Sequence, residues 1–364
     1  MSGAALEGVV VADFSRVLAG PYATMLLADL GARVIKVERP VFGDDTRAWG
    51  PPYAADGQST YYHSVNRNKE LIELDLKQPA DRERAHDLIA RADVFIENFK
   101  PGAAEAMGLG PTQLRAAHPR LITCSINGFG SGEGAELPGY DLLAQATGGL
   151  MSITGTDEPT KVGVALVDVL TGAHAAIGIL AALHARSSSG VGQHIEVSLL
   201  TSLLSGLTNQ ASAFVGAGVV PGRLGNDHPS ITPYGVYEAQ DRPMIIAVGN
   251  DNQFRHLAAV IGLEVAQEFA TNASRVAHRD ALREQINARL AADTADAWQV
   301  RLTAVGVPCG PINDIGQAFA LAERLGLHPI ATCDDGTRTV ANPIRFSHTP
   351  ATYRTSPPRL ASAP

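Results

Sequence analysis

The stretch VVVADFSRVLAGPYATMLLADLGARVIKVE, residues 9–38, decides the fold. VVVADF (9–14) is a short apolar run suited to a buried strand. Pro21 opens a helix, where its missing N–H costs nothing, Gly31 closes that helix, and RVIKVE (33–38) is a second strand. The three pieces make one β-α-β unit. The turn after the first strand, SRVLAGPYA, carries one glycine instead of G-x-G-x-x-G. Its backbone therefore cannot cradle a pyrophosphate as a dinucleotide-binding turn does, which disfavours a nicotinamide enzyme. The chain also lacks a P-loop, H-E-x-x-H, C-x-x-C and the G-x-S-x-G nucleophile elbow.

Working outward, ELIELDL (70–76) alternates acid and aliphatic like a strand with one wet face. A charged helix over 79–92 and strands at 93–98, 121–126 and 193–199 follow. Strands alternating with helices predict an α/β fold with a mostly parallel sheet covered on both faces. Helices are expected over 141–147, 169–186 and 198–215. The texture then changes: GAGVVPGRLGNDHPSITPYG (216–235) reads as a linker, and YGVYEA and PMIIAVG as a strand pair. Helices at 251–261, 276–292 and 295–304 complete a smaller α+β domain over 226–315. The large domain is then discontinuous, 1–225 with 316–364, its tail packing back on the first part.

Bulk properties exclude several classes. The 364 residues are 45% hydrophobic and 18% charged, with a net charge of −8. No global basic field recruits nucleic acid, so an anionic ligand has to be met by local cations. The three cysteines, Cys124, Cys309 and Cys333, show neither metal-ligand spacing nor a disulfide framework. The N-terminus has neither a basic region nor a long apolar run, so it does not read as a signal peptide. The longest uncharged stretch, 197–222, is broken by Ser198, Thr201, Ser202, Ser205, Thr208, Asn209, Gln210 and Ser212, too polar for a membrane helix. It is expected to be buried in the core or against a second subunit. No membrane association is expected, and the setting reads as cytoplasmic.

Polar clusters fall at the expected strand ends: Glu38 and Arg39, Arg47, Arg67 and Lys69, Lys77, and Asn98, Phe99 and Lys100. Ligands of open α/β sheets bind outside the carboxyl ends of strands. Each cation alone reads as a solvated loop charge; together they suit a phosphorylated ligand, with Phe99 packing on a base. In VALVDVLTGAHAAIGILAALHAR (164–186), Asp168 is the only acid, and no other charge appears before Arg186. An acid at a helix start is ordinarily an N-cap. A carboxylate kept ionised there and stripped of water by apolar neighbours is also a competent nucleophile toward an activated acyl group. Asp141, in PGYDLL, reads as an N-cap of its own helix. His228, in the Gly/Pro-rich linker, reads as incidental or as part of a lid.

These segments occur in an order that resembles the class III CoA-transferases, the CaiB/BaiF type that includes formyl-CoA transferase. DFSRVLAGPYATMLLADLGARVIKVERP, NRNKELIELDLK, ENFKPGAAEAMGL, PGYDLLAQATGGLMSITG, VALVDVLTGAHAAIGILAALHAR and GVPCGPINDI carry the likeness, which covers all but the last dozen residues. The resemblance implies a large Rossmann-like domain, a smaller α+β domain and an interlocked homodimer. Asp168 falls on the family's catalytic aspartate. Leu18 and Ala19, Arg39, Leu74, Asp75 and Lys77, Asn98, Phe99 and Lys100, and Asn127, Gly128, Phe129 and Gly130 fall on segments that contact coenzyme A. Tyr140, Asn226 and His228 fall at the substrate pocket. The implied activity is acyl-CoA:carboxylate CoA transfer through an aspartyl mixed anhydride and an aspartyl-CoA thioester. An acyl-CoA donor and a free carboxylic acid acceptor suffice, with no metal and no nucleoside triphosphate. Backbone N–H groups near Asp168, or from the 225–230 loop, are the expected oxyanion donors.

Three departures from the family pattern matter. The family also contains 2-methylacyl-CoA racemases, which use a histidine where this chain has Tyr140; a tyrosine, ordinarily near pKa 10, is a poor general base at neutral pH. This favours transfer over racemisation. Leu18 replaces a glutamine and GNDHPS replaces a run of glycines found in formyl-CoA transferase, which argues against formyl and oxalate groups. Ala106 replaces a CoA-contacting arginine, leaving more of the phosphate recognition to Lys100 or Arg39. A racemase or epimerase on the same fold, and a CoA-thioester-binding protein without turnover, are the alternatives.

Overall fold

A computed structural model describes residues 3–361. The chain divides into two compact units. The first gathers the described residues up to Leu150, Lys161–Val220 and those from Leu327 onward; the second gathers Met151–Thr160 and Pro221–Gly326. The segment 151–160 and the helix near 320 thus group with the second unit, where sequence had assigned them to the first.

The first unit is built on six parallel strands: β1 Val10–Asp13, β2 Arg33–Glu38, β3 Lys69–Glu73, β4 Val94–Glu97, β5 Ile122–Asn127 and β6 His194–Ser198. Their order is β3-β2-β1-β4-β5-β6, the doubly wound order whose direction reverses between the first and fourth strands. The helices of this part of the chain are α1 Ala19–Asp29, α2 Thr60–His63, α3 Pro79–Ile89, α4 Ala103–Ala106, α5 Pro111–Ala117, α6 Asp141–Thr147, α7 Leu150–Ile153, α8 Leu166–Ser189, α9 Leu199–Gly206 and α10 Thr208–Ala217, of which α7 belongs, beyond Leu150, to the second unit. Strand alternation divides the core. Val11, Val34, Val94, Ile96 and Cys124 pack on one face beneath α1 and α8, with Ala23, Leu27, Ala175 and Ile179. Ala12, Ile35 and Phe95 face the other way beneath α3, α4 and α5, with Leu88, Ala104 and Leu114.

Helix α8 is long and apolar enough, by length and composition, to cross a membrane. Val167, Thr171, Gly172, Ala175, Ala176, Ile179 and Ala182 bury one side of it. Gly172 permits a close approach: a Cβ there would meet the Ala19 carbonyl oxygen at 2.5 Å. The head of α8 is thereby brought against the head of α1. The expected single helix over 198–215 is instead the end of β6 followed by α9 and α10, broken at Thr208, whose φ is +42°.

In the second unit, β7 Tyr234–Glu238, β8 Pro243–Ala247 and β9 Cys309–Pro311 form an antiparallel sheet. Tyr237, Met244 and Ile246 share its core with Phe254, Leu257, Leu282, Ile286, Trp298 and Leu302 of the helices Asp251–Ile261, Arg279–Leu290 and Ala295–Ala304. Beyond the helix Ile315–Arg324, the chain returns to the first unit through an antiparallel pair, Ile330–Thr332 with Arg338–Val340.

Candidate active site

The reversal of strand order places the loops after β1 and β4 side by side. Asn98 joins them: its Oδ1 accepts from the Arg16 N–H at 2.9 Å, and its Nδ2 donates to the Arg16 carbonyl at 2.8 Å. The loop after β1 has no glycine cradle, and a buried polar network holds it instead. The Lys36 Nζ donates to the Ser15 carbonyl at 2.9 Å and to Asp44 at 3.0 Å. Asp44 in turn accepts the Val17 N–H, at 3.3 Å from each carboxylate oxygen. That contact holds Val17 at φ +70°, a conformation a β-branched residue rarely adopts. Lys69 donates to Asp13, to Asn66 and to the Pro21 carbonyl. Burial drives the Lys69 amine down to about 8 against the pull of Asp13.

This network corrects the expectation of free cations at the strand ends. Lys69 pairs with Asp13, Arg67 with Asp29, and Arg47 with Glu38. These cations hold the scaffold and are not free for a ligand. Arg39 donates to Asp45 at 2.8 Å and lies over the ring of Phe42.

A cavity of about 550 Å³ opens at the crevice. Arg16, Leu18 and Ala19 line it after β1, Asn98, Phe99 and Lys100 after β4, Asn127 and Gly128 at the end of β5, and Leu199 after β6. The loop 135–140 and Asp168 complete the wall. Gly128 and Gly139 let the loop close: a Cβ on Gly128 would lie 2.6 Å from the Gly139 Cα.

Of the sequence-read residues, Asp168, Leu18, Ala19, Asn98, Phe99, Lys100, Asn127, Gly128 and Tyr140 therefore come together. Arg39, Leu74, Asp75, Lys77, Phe129 and Gly130 do not line this cavity. Leu74 is buried in the core, and Asp75 and Lys77 share a turn at the end of β3. That turn lies two strands from the crevice, about 10 Å along the sheet. Phe99 packs edge-on against Phe14, with ring centroids 6.4 Å apart. Asn226 and His228 belong to the second unit, where the His228 ring meets Tyr234 edge-on.

Asp168 is not the cap of its helix. It sits in the first turn of α8, and the N-cap residue is Ala165, which makes no side-chain capping bond. The cap comes from α6. Asp141 Oδ1 accepts from the Val167 N–H at 2.8 Å and from the Asp168 N–H at 3.3 Å. Asp141 Oδ2 accepts from Gln145 Nε2 at 2.6 Å, and Gln145 Oε1 accepts from the Val162 N–H. Asp141 thus caps the head of α8 and not that of α6, as sequence had suggested. It also occupies N–H groups that sequence reading had offered as oxyanion donors.

Among the described residues, none donates a hydrogen bond to the Asp168 carboxylate. Burial and the neighbouring charge of Asp141 raise its carboxyl to about 7. Tyr61, on α2, feels the same pair: burial, then Asp168 and Asp141, push its phenol up to about 12. Tyr61, Arg16 and Asp45 were not singled out from sequence. Arg16 ion-pairs with Asp45 at 3.2 Å, and its Nε is buried without a partner.

A site with an unpaired, partly dehydrated carboxylate facing a crevice lined by amides and cations suits acyl transfer. Comparison with known proteins agrees. The signature of "CoA-transferase family III" matches residues 6–362. A succinate–glutarate CoA-transferase of Agrobacterium fabrum is 44% identical, over 98% of this chain and 92% of that protein. An acetyl-CoA:oxalate CoA-transferase of Acetobacter aceti is 39% identical, over 94% and 89%. A CaiB/BaiF family protein from Brucella suis has a similar crystal structure, with a TM-score of 0.89 and 40% identity over 99% of this chain and 97% of that one.

Proposed function

The chain belongs to CoA-transferase family III, and from that premise we propose that it passes coenzyme A from an acyl-CoA donor to a free carboxylate through a covalent intermediate on Asp168. The observation that carries this reading is the Asp168 carboxylate, facing the crevice with no donor among the described residues bonded to it.

The steps balance without a co-reactant. The Asp168 carboxylate attacks the thioester carbonyl, the C–S bond breaks, and CoA leaves as the thiolate with the electron pair on sulfur. The thiolate attacks the aspartyl carbonyl of the resulting anhydride and releases the donor acid as carboxylate. The acceptor carboxylate then attacks the aspartyl-CoA thioester, its C–S bond breaks with release of CoA thiolate, and the thiolate attacks the acceptor carbonyl of the second anhydride, giving the new acyl-CoA and releasing Asp168 as carboxylate. A thioester is broken and a thioester is made, so no nucleoside triphosphate is consumed.

Leu18, Ala19, Asn98, Phe99, Lys100, Asn127 and Gly128 are the coenzyme A contacts this reading places at the cavity. Arg39, Asp75 and Lys77 lie outside it, for the far end of the nucleotide. A short dicarboxylate is proposed as the acyl group. Succinate, glutarate and mesaconate recur in the names of relatives, and Arg16 and Lys100 are the cations that line the cavity. The oxyanion donors must lie outside the first turn of α8, whose N–H groups are already engaged. A homodimer is proposed from the apolar surface of the first unit: Ile177, Leu204, Phe214, Val215, Val219 and Val220 are all exposed in the single chain. With one side of α8 buried against the sheet and its outer side covered by a second copy, α8 is read as an interface helix and the protein as cytoplasmic, not membrane-spanning.

The test is hydroxylamine trapping. Mixing the enzyme with succinyl-CoA and hydroxylamine should leave a hydroxamate on the peptide that contains Asp168. Asp168→Ala should fold, bind CoA and transfer nothing. An active Asp168→Ala enzyme would end this reading.

A further inference from the structure

The head of α8 carries two carboxylates from different elements, one on its first-turn N–H groups and one facing the cavity. A helix N-terminus is where a carboxylate gains most from backbone donors and the helix dipole. Asp168 is placed to take those donors, and Asp141 has taken them. Asp141 itself is fixed by Gln145, which is buried and also tied to the Val162 N–H on the segment leading into α8. Asp141 does not line the cavity.

We propose that Asp141 is a positioning residue for the transfer reaction: by capping α8 from outside, it withholds the first-turn N–H groups from Asp168 and leaves that carboxylate unpaired, facing the thioester. This inference rests on the reading of Asp168 as the nucleophile.

Two consequences follow from charge and geometry. A carboxylate without donors is more basic, and a stronger nucleophile, than one stabilised by two N–H groups. Asp141 and ionised Asp168 also repel each other, and the repulsion disappears when Asp168 becomes an anhydride or thioester and its charge leaves with the thiolate or the donor acid. The neighbouring charge therefore favours acylation over the resting state. The groups facing Asp168 are Asp141 from α6 and the Tyr61 phenol from α2. Arg16, Asp45, Lys100 and Glu136 line the same cavity.

Asp141→Asn tests this, because its amide oxygen can still cap α8 while the charge is gone. The acidic limb of kcat/KM for succinyl-CoA should lie near pH 7 in the natural enzyme. In Asp141→Asn it should move down by roughly one unit, with kcat on the alkaline plateau reduced about 3–10-fold. KM should hold within about twofold, since Asp141 touches no part of the cavity. The ratio of variant to natural activity should therefore rise as pH falls. Asp141→Ala removes cap and charge together and frees the first-turn N–H groups for Asp168, so it should lose more kcat and move the limb further down.

A purely structural Asp141 would lower activity by the same factor at every pH, and superimposable pH profiles would overturn the proposal. Hydroxylamine trapping on the natural enzyme separates the two readings. An adduct on Asp168 with no shift in Asp141→Asn sinks this inference alone. No adduct on Asp168 sinks the covalent reading on which it rests.

Discussion

At the scale of the residue, Asp168 is held in a state that folding alone would not choose. Burial and Asp141 raise its carboxyl to about 7, against about 3.9 in an unfolded chain. The folded state therefore binds more protons between about pH 4 and pH 7, and its stability falls as pH rises through that window. The cost is absent below pH 4 and complete above pH 7. Asp168→Asn removes the buried charge at constant shape, so it should stabilise by roughly 2–4 kcal/mol at pH 8 and by little at pH 4. Thermal denaturation of both proteins at the two pH values checks this, and equal Tm gains at both would contradict it. Asp168 draws the eye as one acid alone in an apolar run, yet its position alone reads as an N-cap, and only the resemblance to class III CoA-transferases singles it out as a nucleophile. Asp141 was misread because its partners are the Val167 and Asp168 amides, 26 and 27 residues away, and sequence shows only the helix it opens.

At the scale of the element, the loop after β1 shows what replaces a glycine-rich turn. Lys36 carries the fixed geometry: it is fully buried between Asp44 and the Ser15 carbonyl. Lys36→Met leaves Asp44 buried and unpaired, a loss of about 3–5 kcal/mol. It should also loosen Val17 and Leu18 at the cavity wall. The expected outcome is a lower denaturant midpoint together with a KM for acyl-CoA raised several-fold; an unchanged KM in a protein that remains folded would show that the loop does not depend on this network. Strands β1 to β6 were legible because apolar runs, alternating or continuous, mark them within one residue of their ends, except that β3 stops at Glu73, three residues before the expected end. The lysines and aspartates of the network were not, because Asp13, Lys36, Asp44 and Lys69 come from separate segments and look like ordinary surface charge in sequence. The break between α9 and α10 at Thr208 follows Gly206, a weak helix former that the uncharged run around it masks in sequence.

At the scale of the whole molecule, the first unit is closed by its own C-terminal segment. Asp29 accepts from Arg67, Asn68 and Asn342, while Asn68 bonds Thr352 and Arg354. Sequence reading brought the tail back to the first part of the chain, but it could not name these contacts across nearly 300 residues. The apolar surface left by this closure is the basis of the proposed dimer. On α10 no residue is buried, with Phe214 59% and Val215 83% exposed, and Val220 just beyond it is 77% exposed. Exposed apolar side chains gathered on one segment suit an interface, and a stable pair needs roughly 1,000 Å² or more buried. The uncharged run 197–222, which has too many polar residues for a lipid-facing span, suits a protein interface. The protein should therefore sediment at twice its 38.2 kDa chain mass. Val215→Asp places a charge on the exposed apolar face of α10 and changes nothing in the cavity of the first unit, so it should shift the protein toward the monomer at micromolar concentration. A natural chain that sediments as a monomer, or a Val215→Asp variant as dimeric as the natural protein, would place the contact elsewhere.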